Sequence, residues 1–235
     1  MNTPKPDSHP QFFLSLIRDT LPHSYNSATQ PLSHCSNGSH CALWLQTGAT
    51  EINDTPITTG HGMNFTATDT IVNTSAESAV ILRFIVSIKP IDVLEVSANA
   101  KVISETLFTQ AINVASATMI MRLDQVDFPP TAIAYKHTHP GPGIRYLVEG
   151  GLTLVSDHEE HIVNAGDAWF EDANSAVEAT AINTIPSRFV RMMLLPLEYE
   201  DRPTFTLHSI SDADRPKLQT NIRHFEKRIV IGNTH

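Results

Sequence analysis

His137 and His139, separated by one threonine, are the residues of this chain best placed to do chemistry. On a β-strand, side chains at i and i+2 point to the same face. Two same-face imidazoles stand a few ångströms apart and can hold one divalent metal. Pro140-Gly141-Pro142-Gly143 then breaks the strand, and Glu149-Gly150 marks a hairpin after the next one. The plainer alternative is two polar side chains sharing a solvent face. Tyr135, two residues before His137, is placed on the same face, where its phenol would hydrogen-bond a ligand or a metal-bound water.

The elements that must position these residues read as short strands. Ala42 to Gln46, Ala79 to Val86 and Ala117 to Leu123 are apolar runs bounded by turn residues, and alternation continues to Pro196. Many short strands with little helix predict an all-β sandwich or barrel. Residues 10–21 are the exception: Phe13, Leu16, Ile17 and Leu21 recur at helical spacing behind Pro10, which predicts a short N-terminal helix. The tail, 203–235, is open. Leu218, Ile222, Phe225 and Ile229 would line a helix face, yet Arg228 to Ile231 reads equally as a strand. The halves echo each other weakly: Leu43 to Gly48 with Arg145 to Gly150, Gly60-His61 with Gly166-Asp167, and Ala79 to Val86 with Ser187 to Leu195. A displacement of about 100 residues points to a duplicated β unit, its first copy eroded and short of room for leading strands.

With 235 residues, 41% hydrophobic and 17% charged, the chain is globular and charge-poor. Its net charge of −9 and the lack of a basic cluster argue against nucleic acid and anionic membranes as partners. No apolar run is long enough to span a bilayer, and no secretory leader is recognised, so a cytoplasmic location is the expectation. Cys35 and Cys41, with His34 and His40, form a doublet whose spacing is not that of a zinc knuckle and which has no second pair. A polar loop is its simpler reading.

Residues 117–196 resemble the cupin family, about a third of the chain closely and more of it loosely. The first cupin motif, His-x-His, a glutamate, then a hairpin glycine, corresponds to His137-Thr138-His139 through Gly143 and Arg145 to Gly150. The second begins as Gly166-Asp167-Ala168-Trp169-Phe170-Glu171 and continues to Val177. The resemblance implies an antiparallel β-barrel of jelly-roll type, duplication into a two-barrel chain, and a metal inside the barrel. The implied units are 1–30 (helix and arm), 31–95 (degenerate half), 96–200 (cupin domain) and 201–235 (C-terminal extension). Two ligands of the family pattern are missing, for its glutamate falls on Gly143 and its third histidine on Val177. Glu171, Glu178 and His161 are candidate replacements, Glu171 first because it sits on the strand entering the second motif. The implied cofactor is a divalent ion: iron, manganese or zinc.

If Gly143 takes the inward position that the family gives its glutamate, period-two alternation turns Arg145 inward too. Its planar fork would then take an acidic ligand or a protein carboxylate such as Glu171, unless the side chain reaches solvent. Met119, Met121, Trp169 and Phe170 are expected in the core or pocket wall, and His158 and His161 in an exposed hairpin. Three function classes follow. The first is a metal-dependent dioxygenase, isomerase or lyase acting on a small acidic or polar molecule, with Arg145 and Tyr135 at the reaction. The second is a non-catalytic small-molecule-binding module. The third is a structural remnant. Terminal segments that cap the sheets or swap onto a partner lead to an expected homodimer.

Overall fold

A computed structural model describes residues 11–32, 39–91, 94–96, 102–114, 116–157, 159–182 and 184–231. Cys35 and His158 lie outside the described residues. The first half consists of β1 (Gln11–Leu21), β2 (His40–Thr47), β3 (Ala49–Ile52), β4 (Thr55–Thr58), β5 (Gly62–Phe65), β6 (Ile71–Asn73), β7 (Ala79–Ser87), β8 (Leu94–Val96) and β9 (Ile103–Asn113). The second consists of β10 (Thr118–Phe128), β11 (Ile133–Thr138), β12 (Gly143–Glu149), β13 (Gly151–Ser156), β14 (Glu160–Asn164), β15 (Ala168–Glu171), β16 (Val177–Ala181), β17 (Ser187–Leu195), β18 (Thr206–Leu207) and β19 (Thr220–Val230).

The duplication is visible in strand order. The large sheet of the first half runs β5-β2-β7-β1-β9-β8, and that of the second β15-β12-β17-β10-β19. The smaller sheets are β4-β3-β6 and β14-β13-β16-β11-β18. In the first half the counterpart of β11, the strand that carries His137, is reduced to a single bridge between Asn26 and Val72 of β6. The molecule is thus all-β and antiparallel, as the sequence predicts, with two jelly-roll units. β9, which a boundary at 95/96 assigns to the second unit, pairs with β1 along nearly its whole length. β19, within the C-terminal extension, completes the second large sheet along β10.

The expected N-terminal helix is absent: residues 11–21 form β1, paired to both β7 and β9. The physical reason is that this sheet is covered on both faces, so its strands need apolar residues at successive positions. Phe12, Leu14 and Leu16 face one core, and Ile17 and Leu21 another. A run filled on both sides mimics helical periodicity. The tail resolves as a strand, and β1 and β19 both pair within their own chain.

The two large sheets pack face to face. Trp44, Leu82, Phe84 and Val86 from one side meet Met121, Ile144, Tyr146, Val190, Met192 and Leu194 from the other in one buried cluster. Alternation sends the intervening residues into the barrels. In the first barrel Ile81 and Ile85 join an apolar filling that flanks Arg83. In the second, Arg145, Phe189 and Arg191 look into a cavity. Met119 and Met121 belong to the shared core, and Phe170 packs against it, whereas Trp169 reaches the cavity.

Candidate functional site

The cavity of the second barrel is about 480 Å³. Its apolar wall includes Val126, Phe128, Leu154, Val177 and Phe189. His137 and His139 lie on one side, both buried. His137 Nδ1 donates to Tyr135 O at 2.8 Å, and His139 Nδ1 donates to Thr204 O at 2.9 Å. A carbonyl only accepts, so each ring carries its proton on Nδ1 and a lone pair on Nε2. The two Nε2 atoms are 3.2 Å apart. Burial pushes the His137 pKa down to about 4, with Glu171 opposing and Arg191 and Arg145 assisting. Burial, followed by Arg191 and Arg145, holds His139 well below the ordinary histidine value too. Both rings are neutral at neutral pH.

Arg145 points inward, as its register with Gly143 predicts. Its Nη1 donates to Gly143 O at 2.7 Å, and its Nη2 makes an ion-pair contact with Glu171 Oε2 at 2.6 Å, short but not aligned as a hydrogen bond. Complete burial lowers its pKa to about 10, leaving it cationic. Glu171 is fixed from its other oxygen, for Trp169 Nε1 donates to Oε1 at 3.0 Å. The carboxylate proposed from the sequence as a substitute metal ligand is therefore engaged by an arginine and a tryptophan.

Tyr135 is buried but absent from the cavity wall, and Arg215 covers its ring at 4.0 Å. Pairing of β11 with β16 shifts register between Ala134 and His137, and both of those line the cavity. That irregularity breaks the period of two on which the placement of Tyr135 rests. Glu178 and His161 are likewise not cavity residues.

Several cavity residues have no sequence motif to announce them. Arg191 Nη1 approaches His139 Nε2 at 3.0 Å, while Arg191 Nε and Nη2 reach Asp124 Oδ2 at 3.4 and 3.3 Å. Phe205 stacks on the His137 ring at 4.1 Å. Thr204 and Phe205 come from the segment after the barrel. Arg122, buried, anchors that segment by donating to Tyr199 O and Arg202 O at 2.7 and 3.0 Å and by pairing with Glu226. A usable signal existed for one of them: a lone charge inside an apolar run, as in Phe189-Val190-Arg191-Met192, marks an inward polar position.

The donor set can be tested against the metal implied by the resemblance. Ligand nitrogens about 2.1 Å from one ion stand roughly 3.0–3.4 Å apart, so the imidazole pair has the right spacing. The rest does not fit. A Cβ at Gly143 would lie 2.6 Å from Met192 O, so no side chain enters there. Val177 is apolar, Glu171 is engaged, and Arg191 occupies the lone pair of His139. No group of three metal-capable side chains occurs among the described residues. Five cationic side chains and three carboxylates line the cavity, which therefore favours a negatively charged guest.

Residues 125–189 match the family model described as the cupin domain. AerE from Microcystis aeruginosa is 13% identical over 82% of this chain and 96% of its own, with a TM-score of 0.52. A protein from Pseudomonas aeruginosa whose name marks it as glyoxylate-induced is 12% identical over 82% of this chain and 84% of its own, with a TM-score of 0.53. Both likenesses are of fold, and both span the two halves. No curated protein sequence matches the chain. No helix among the described residues is long and apolar enough to cross a membrane.

Proposed function

We propose, from the premise that this chain carries a cupin domain over residues 125–189, that its second barrel binds a small organic acid. The acid group is drawn to Arg145 and Arg191. A neighbouring hydroxyl donates to His137 Nε2, an acceptor facing the cavity. The apolar wall and Phe205 take the hydrocarbon part. The observation that carries this reading is that the buried guanidiniums of Arg145 and Arg191 and two neutral imidazoles face one largely apolar cavity.

An imidazole with a pKa of about 4 is a weak base at neutral pH. General bases work best with pKa values near the working pH. The histidines are thus better suited to recognition than to proton abstraction, which favours a binding module over an enzyme. A second reading keeps the metal: iron, manganese or zinc on His137 and His139, supporting dioxygenase, isomerase or lyase chemistry on the same acid. Its support is the 3.2 Å spacing and the two carbonyl-fixed Nδ1 protons, a common arrangement behind metal-bound histidines.

Thermal-shift measurements with hydroxy acids, the matching acids without the hydroxyl, and neutral alcohols test the first reading. Hydroxy acids are expected to raise Tm most, and His137→Gln to remove the advantage of the hydroxyl. Metal content of untagged protein purified without chelator tests the second. About one ion per chain, lost in a His137→Ala/His139→Ala variant, would establish the metal.

A further inference from the structure

The same ladder position holds an arginine in both barrels, and the two are bound differently. Arg83 on β7 lies opposite Leu43 of β2, as Arg191 on β17 lies opposite Arg145 of β12. In the first barrel Asp19 grips Arg83 with both oxygens, at 2.7 and 2.9 Å, and Ser104 adds a donor to Asp19 at 2.6 Å. In the second, Asp124 uses only Oδ2, at 3.3–3.4 Å, and its buried Oδ1 has no hydrogen-bond partner. The guanidinium of Arg191 is displaced from its carboxylate, and its Nη1 instead meets His139 Nε2 at 3.0 Å.

The imidazole pair explains that displacement. With both Nδ1 protons bound to carbonyls, two lone pairs face each other across 3.2 Å. Such a pair is stable in a buried site only beside a cation or a hydrogen-bond donor. A divalent ion would meet the need in a complete metal site. Here Arg191 already provides both a positive charge and an N–H.

We infer that Arg191 is the cation that serves the imidazole pair of the second barrel, standing in the role of a metal, and that the wild-type pocket recognises its acid without a metal ion. This rests on the organic-acid reading above and sharpens it. A guanidinium presents a planar fork to a carboxylate, and here it takes the place beside the imidazole pair that an ion would need. Replacing Arg191 by an apolar side chain frees the Nε2 lone pair of His139 beside that of His137 and should convert the site into a two-histidine metal site.

The test is calorimetric titration of untagged, chelator-treated, full-length protein with Zn²⁺ and with Mn²⁺. Wild type should show no stoichiometric uptake at the imidazole pair. Arg191→Met should gain one Zn²⁺ per chain, and His139→Gln added to it should abolish the gain. Because Arg191→Met leaves Asp124 buried without its partner, Arg191→Met/Asp124→Asn is made alongside, and retained circular dichroism identifies the folded variant. On wild-type protein alone, two-bond proton–nitrogen spectra of the histidines should show both Nε2 atoms unprotonated and unchanged by Zn²⁺. One ion per chain in wild type, sensitive to His139→Gln, overturns the proposal, as does a folded Arg191→Met or double variant that gains nothing. Thermal shift of wild type with hydroxy acids separates the two ideas. No shift with metal behaviour as expected sinks only the organic-acid reading, while a shift together with metal uptake sinks only the role of Arg191.

Discussion

His137 and His139 lie where burial opposes charge, and that makes them a pH liability as well as a recognition site. The folded His137 titrates near 4 against an ordinary 6.5. Between those values the unfolded chain takes up a proton that the folded chain refuses, so this contribution is whole above pH 6.5 and lost as pH falls toward 4. At pH 5 the loss from His137 alone is about 2 kcal/mol, and His139 adds in the same direction. Urea unfolding near neutral pH and at about pH 5 should show it, and His137→Gln should flatten the difference; an unchanged difference would remove histidine burial as its cause. Arg145 and Glu171 form the second residue-scale case. Breaking a buried pair from one side costs about 3–5 kcal/mol, so Arg145→Met should be strongly destabilising and Arg145→Met/Glu171→Gln less so. A double-mutant cycle by denaturant titration measures the coupling, and additive losses would argue that the two groups act independently. The histidine pair was legible in the sequence because a period of two puts i and i+2 on one face, and the inward turn of Arg145 followed only once the cupin pattern had set Gly143 inward. Arg191 is a single charge in an apolar run, but Asp124 shares its strand with Arg122, Gln125 and Asp127 and does not stand out. Their strands pair across more than 60 residues of sequence, a relation that no local pattern carries.

At the level of elements, the departures from simple alternation decide what reaches the cavity. The irregularity in β11 moves Tyr135 out of the site while keeping His137 in it. Continuous burial of β1 on both faces produced the false helical period in residues 10–21. β12 shows the reverse case, in which a missing side chain is informative. Gly143 is where the cupin pattern has a glutamate, and the backbone of β17 closes that position, with Met192 O and Met193 Cγ at 2.6 and 2.9 Å from an added Cβ. Restoring the glutamate should therefore fail as a repair. Gly143→Glu is expected to destabilise the protein by about 1–3 kcal/mol or more through overpacking and to bring no metal uptake. Thermal unfolding and zinc titration of that variant check both parts; a stable protein binding one ion would mean that β12 and β17 yield more readily than their packing implies.

Taken as a whole molecule, the chain divides labour between two copies of one strand order. The first barrel is filled with apolar side chains around a closed Arg83–Asp19 pair, and the second keeps its interior open. The large sheets share a single core, so neither unit can lose its sheet without exposing the other. This predicts one cooperative transition rather than two. The chain has two tryptophans, and they divide between the units: Trp44 lies in the shared core and Trp169 in the cavity wall. Trp169→Phe leaves Trp44 as the reporter of the first half, and Trp44→Phe leaves Trp169 as the reporter of the second. Urea transitions followed by fluorescence in each variant should coincide with each other and with circular dichroism, the usual sign of two-state unfolding. Separate midpoints in a single variant, the fluorescence of its one tryptophan diverging from circular dichroism, would show that the shared core does not bind the barrels into one unit. The same two variants locate the ligand, since an acid bound beside Glu171 should perturb Trp169 emission and leave that of Trp44 unchanged.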